Sequence, residues 1–161
     1  MRTPFIFVAG LLVGAAIQTA IGQGQNRGIV RMNHVGINVP DMEAAADFYT
    51  NTIGFPEAFR LTNDAGVPFL IYLQVSKDSF VELNQANDER PVGLGHFGLH
   101  VEDVEAAAAM FGQAGAEVAE VRNSATGAVL SNVFDVNGVR MELAELPPES
   151  EHAKAMERWG R

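Results

Sequence analysis

The chain has 161 residues, of which 47% are hydrophobic and 19% charged, the size and composition of one globular domain, not a disordered or fibrous protein. Its 11 basic and 20 acidic residues leave a net charge of -9, which repels a phosphate backbone and excludes nucleic acid as a partner. Cysteine is absent, so disulfides, thiolate catalysis and a cysteine zinc site are excluded, and any metal must rest on nitrogen and oxygen ligands.

In chain order, the first element is an export signal over residues 1–22. Arg2 is the basic start, an apolar stretch runs from Phe5 to Ile17, and small residues stand at Ala20 and Gly22, so cleavage is expected after Gly22. The protein is therefore expected in the periplasm or secreted, with an uncleaved membrane anchor as the alternative.

The folded part, residues 23–146, is organised by an internal repeat. NHVGINVPDMEAAADFY from Asn33 aligns with GHFGLHVEDVEAAAAMF from Gly95. His34 meets His96, Gly36 meets Gly98, Asp41 meets Asp103, Glu43 meets Glu105, and the alanines coincide. Each copy opens as a strand whose apolar residues alternate with the histidine, so the imidazole points away from the core. Asp41 or Asp103 then caps a helix of about three turns.

Three strand candidates follow in each copy. They are Glu57 to Leu61, Phe69 to Val75 and Phe80 to Asn84, then Glu117 to Arg122, Ala128 to Phe134 and Val139 to Ala144. The fold class is thus α+β, with two tandem βαβββ modules (30–86 and 94–146). They form a curved mixed sheet around a cleft with the helices outside. Residues 147–161, after Pro147-Pro148, read as a polar C-terminal helix packing outside the site, with His152 on plain surface.

The last strand of each module carries a matching pair, Glu82-Leu83 and Glu142-Leu143. Alternation again turns each glutamate away from the core. Two imidazoles and two carboxylates on one face make His34, Glu82, His96 and Glu142 a metal-ligand set for one divalent ion. Nickel, cobalt or zinc are favoured, with iron(II) or manganese as alternatives. Asn38, Phe80, Asn84, His100 and Arg140 share that face as substrate-binding candidates, suited to a small oxygenated molecule. Arg140 is a candidate carboxylate ligand.

The paired units, the strands NHVGINV and GHFGLHV and the closing DVNGVRMEL resemble the vicinal oxygen chelate superfamily. That superfamily includes glyoxalase I, extradiol dioxygenases, methylmalonyl-CoA epimerase and bleomycin-resistance proteins. Glutamate at both fourth-strand positions is most similar to bacterial glyoxalase I, and the epimerase typically has glutamine at the place of Glu82. Asn38 and Ala86 stand where that glyoxalase has glutathione-binding residues, which implies a substrate that is not strictly a glutathione adduct.

The resemblance implies a metal-dependent lyase or isomerase that moves a proton on a hydroxycarbonyl-type substrate, with Glu142 or Glu82 as the catalytic base. Glu142 is favoured by analogy. An iron(II) extradiol-type dioxygenase using His34, His96 and Glu142 is the alternative reading. A non-catalytic binding or resistance module is the second. A homodimer is expected, with the short connector after Glu82 favouring a site shared across it.

Overall fold

The computed structural model describes residues 28–160. The export signal expected over residues 1–22 falls outside the described residues. Among them, no helix is long and apolar enough to cross a membrane.

The first module contributes β1 (Ile29–Val39), α1 (Met42–Asp47), β2 (Glu57–Thr62), β3 (Pro68–Ser76) and β4 (Ser79–Gln85). The second contributes β5 (Gly93–Val101), α2 (Val104–Gln113), β6 (Glu117–Val118), β7 (Arg122–Asn123), β8 (Val129–Phe134) and β9 (Arg140–Glu145). A last helix, α3, spans Glu151–Arg158. Asp41 Oδ1 accepts from Ala44 N at 3.0 Å and Asp103 Oδ1 from Ala106 N at 2.9 Å, so both repeat helices start where the aspartates satisfy their free N–H groups. The first helix continues as a wider π turn over Phe48–Ile53 and ends on Gly54, whose φ of 91° suits a residue without Cβ. The strand expected over Glu117 to Arg122 divides into β6 and β7.

The strands form one nine-stranded mixed sheet, in the order β2-β3-β4-β1-β5-β9-β8-β6 with β7 on β8. β1 runs parallel to β4 and β5 parallel to β9, while β1 and β5 pair antiparallel at the centre. This middle seam joins the modules within one chain and corrects the expectation of a cross-subunit site. All four ligand strands, β4-β1-β5-β9, are neighbours.

Alternation decides what each face does. On one side, Val39, Ile71, Leu73 and Leu83 are buried against Met42 and Ala46 of α1. Val101, Val133 and Leu143 are buried against Val104, Ala107 and Ala108 of α2. Burial of the Val, Ile, Leu and Met side chains among these contributes roughly 1.5–3 kcal/mol each. These helices lie outside, as expected. The third does not: Ala155 of α3 is buried with Phe59, Tyr72 and Phe80 on the other face.

Candidate metal centre

The remaining face of the four central strands forms a cleft of about 550 Å³, lined by His34, Glu82, His96 and Glu142 among others. His34 Nε2 lies 3.0 Å from His96 Nε2. Glu82 Oε2 lies 2.9 Å from His96 Nε2 and 3.4 Å from His34 Nε2. Glu142 Oε1 stands 3.5 Å from His34 Nε2. Two ligand atoms each about 2.1 Å from one ion at right angles are about 3 Å apart, so this spacing fits one divalent cation. His34, Glu82 and His96 form the tight trio. Glu142 is the outer carboxylate.

The seam explains how both rings fit. β1 and β5 place His34 opposite Gly98 and Gly36 opposite His96. Each imidazole lies over the other module's glycine, where an added Cβ would overlap the ring. A glycine two residues after each histidine is therefore the space its counterpart occupies.

Neighbours fix the ligands. Asn33 is fully buried, and its Oδ1 is 3.0 Å from His34 Nδ1, while its Nδ2 donates to Asp78 O at 3.2 Å. The anchored amide oxygen accepts the Nδ1 proton and leaves the His34 Nε2 lone pair facing the cleft. Burial holds His34 down to about 4, with His96 and Arg140 adding to the effect against Glu82, so the ring is neutral as a ligand requires. Replacing Asn33 by leucine should weaken metal affinity about 10- to 100-fold with little change in fold. Titration against a competing chelator measures this, and an unchanged affinity would show that Asn33 does not orient the ring.

The two carboxylates differ. Burial would raise Glu82, but the His96 and His34 imidazoles and the Asn84 amide together hold it at about 2. Glu142 is raised by burial and by the neighbouring Glu82 charge, only partly offset by His96, Arg140 and Arg122. Its Oε2 is 3.5 Å from Arg122 Nη2 and 3.9 Å from Arg140 Nη1. Glu142 is thus the more basic of the pair.

Arg140 Nη2 donates to His96 Nδ1 at 2.7 Å. Ligation through Nε2 needs the ring proton on Nδ1, so filling the site turns this guanidinium free within the cleft.

Of the other candidates, Asn38, Asn84 and Arg140 line the cleft, with Asn38 Nδ2 donating to Pro91 O of the inter-module connector at 3.0 Å. Phe80 and His100 are not among the lining residues. Phe80 is instead buried in the aromatic cluster under α3, which covers that part of the face. His100 is half-buried, with Nδ1 unpartnered. His152 is the reverse correction: read as surface, it is buried and lines the cleft. Arg122 and Tyr72 also line it.

Acid should loosen this arrangement. Burial holds His34 near 4 and His152 near 3, whereas both take up a proton around 6.5 once unfolded. The unfolded chain then binds more protons in mild acid, so stability is complete above pH 6.5 and falls as pH drops toward 4. Glu82, held near 2, adds a loss below about 4.5. Thermal midpoints of chelator-treated protein should decline across that window, and a flat profile would contradict the burial of neutral imidazoles.

A family model for the Glyoxalase/Bleomycin resistance protein/Dioxygenase superfamily matches residues 31–143. The chain belongs to this superfamily. It is similar to an ethylmalonyl-CoA/methylmalonyl-CoA epimerase of Cereibacter sphaeroides, 32% identical over 134 residues, covering 73% of this chain and 99% of the relative. A solved Streptomyces coelicolor methylmalonyl-CoA epimerase, a variant in complex with 2-nitronate-propionyl-CoA, superposes with a TM-score of 0.66 at 25% identity. It covers 76% of this chain and 98% of the other. Methylmalonyl-CoA epimerase from Mycobacterium tuberculosis gives the same TM-score at 22% identity over 76% of this chain and 91% of its own, a likeness of fold.

These relatives are isomerases by name. The ligand pattern nonetheless keeps Glu82, as in the glyoxalase I resemblance. Membership of the superfamily and the His34-Glu82-His96 cluster together support a metal-dependent enzyme of the isomerase type.

Proposed function

We propose that the protein is a metal-dependent isomerase that removes and returns a proton at a carbon beside a carbonyl, on a small acid offering two neighbouring oxygens. The observation that carries this reading is the convergence of His34 Nε2, His96 Nε2 and Glu82 Oε2 on one point, with Glu142 at its edge. A divalent cation held by these residues supplies Lewis acidity that stabilises negative charge developing on the two substrate oxygens.

The chain does the rest. Glu82 holds its charge and stays a ligand, and Glu142 takes the carbon-bound proton onto its carboxylate and returns it to the neighbouring carbon, which isomerises the substrate. Its two oxygens face different surroundings: Oε1 is toward His34 and Oε2 toward Arg122 and Arg140. Asn33 orients the His34 imidazole, and Arg140, released from His96 Nδ1 when the ion is held, is free to meet the substrate. Leu61, Phe69, Leu70, Val92 and Leu94 give the cleft an apolar side for the body of a substrate.

Charge selects the substrate. The lining residues include Arg90, Arg122 and Arg140 against Glu82, Glu89 and Glu142. A divalent ion in the site would offset the charges of Glu82 and Glu142, so the three arginines face one further carboxylate, Glu89, and the cleft favours an anion. The export signal read over residues 1–22 would bring the enzyme to free small acids in place of intracellular coenzyme A thioesters.

Proton exchange tests the reading whatever the product is. Metal-loaded protein in D2O should introduce deuterium at the carbon beside the carbonyl of a hydroxycarbonyl acid or of methylmalonyl-CoA, followed by proton NMR, and chelation should stop it. Metal-loaded protein that exchanges none of these protons would contradict the assignment.

A further inference from the structure

The helix α3 lies beyond residues 31–143 of the family match, yet it brings a side chain into the cleft. His152 is only 3% exposed and is one of the lining residues. Three rings wall it in, Tyr72, Phe59 and Phe80, each edge-to-face with centroids at 4.5, 5.0 and 5.7 Å. Neither ring nitrogen has a hydrogen-bond partner. Buried polar groups are ordinarily paired, and the cleft that His152 lines is the space beside the ring that can hold a partner.

The helix is held in place for such a task. Ser150 Oγ accepts from Ala153 N at 3.2 Å, Glu151 N donates to Thr126 O at 2.9 Å, and Gln74 Nε2 donates to Ala155 O at 3.4 Å. Burial keeps the imidazole neutral, with His34 and His100 acting in the same direction and Glu82 against it. A neutral ring offers one N–H and one lone pair. Tyr72 is the spacer, its ring 5.7 Å from that of His34 and 4.5 Å from that of His152. The polar edge of His152 is thus set one aromatic ring away from the ligand trio.

We infer that His152 is a substrate-contacting residue whose ring N–H donates to an oxygen of the substrate beyond the two that face His34, Glu82 and His96. The inference rests on the proposed isomerase reading and narrows its substrate to oxygen-rich small acids, with a third oxygen function next to the chelating pair. A neutral donor in an aromatic box discriminates such a molecule from an analogue that ends in a hydrocarbon there, because the analogue leaves the N–H buried and unpaired.

Methylmalonate, which has two carboxylates on one carbon, is a suitable probe. The full chain is loaded with cobalt(II) and methylmalonate binding is followed by the visible spectrum of the ion. His152→Phe keeps the ring packing and removes the N–H; it should leave cobalt content and the starting spectrum unchanged, leave the thermal midpoint no lower, and raise the Kd about tenfold. His152→Gln, which restores an N–H, should recover most of that loss. In the zinc-loaded wild type, methylmalonate should also shift the His152 ring nitrogen resonances, a readout independent of any variant's folding.

A His152→Phe protein with wild-type Kd, or ring resonances that do not move, overturns the inference and leaves the isomerase reading standing. Wild-type protein that takes up cobalt but not methylmalonate overturns it as well. Failure to bind cobalt at all overturns the inference together with the reading beneath it.

Discussion

Replacing Glu142 by glutamine should lower metal-dependent proton exchange by at least about 10²-fold, the low end of what a positioned general base contributes, while the protein keeps its fold and most of its metal. Glutamine preserves the size and the carbonyl oxygen but cannot accept a proton at working pH. The ion should stay because the close trio is His34, Glu82 and His96, with Glu142 outside it. The rate loss should fall on kcat. The same change at Glu82 should act differently: it removes a ligand charge held near 2 by its surroundings, so metal content should fall first and exchange with it. Elemental analysis beside deuterium incorporation separates the two, and a Glu142→Gln protein with full exchange would move the base elsewhere.

The second large effect belongs to glycine. Gly98→Ala places a Cβ inside the His34 ring, and Gly36→Ala does the same to His96. Neither imidazole can retreat, since His34 is 2% and His96 3% exposed and packed interiors have little room to give. The ring must leave its rotamer and carry Nε2 away from the common point. Each alanine variant should lose metal affinity by more than about 100-fold, a greater loss than removal of an outer-shell partner. Far-ultraviolet circular dichroism should still report the mixed sheet, because the outer face buried under α1 and α2 is untouched. A Gly98→Ala protein with normal metal affinity would mean the two rings do not cross the seam as described.

Those glycines show what was legible in the chain. The repeat set His34 over His96 and Gly36 over Gly98, and alternation put Glu82 and Glu142 on the histidine face. Both the modules and the ligand candidates follow from period and spacing. Why the glycines repeat was not legible, because it depends on β1 pairing with β5, a contact between segments about 60 residues apart that no local pattern encodes.

Residues without a repeat partner were harder. Asn33 aligns with Gly95, so nothing marked it as the fixed acceptor behind His34. Arg122 was absorbed into a strand read as continuous through Arg122. The structure breaks that strand and turns the guanidinium toward Glu142. The segment 149–158 is rich in Glu, Lys and Arg and reads as a polar helix packing outside the site. Only two of its helical residues, His152 and Ala155, are buried, and neither is the large apolar side chain by which a core-facing position is recognised. That small buried face covers Phe80 and turns His152 inward, so Phe80 was misplaced and His152 missed for the same reason.

Metal content tests the account most directly. The protein should be isolated with about one equivalent of nickel, cobalt or zinc per chain, or take up one after chelation and reloading, and Glu82→Gln and His96→Gln should each lose it while remaining folded. A well-folded wild-type protein that binds no divalent metal, or one whose metal survives both substitutions, would contradict the centre built on His34, Glu82 and His96.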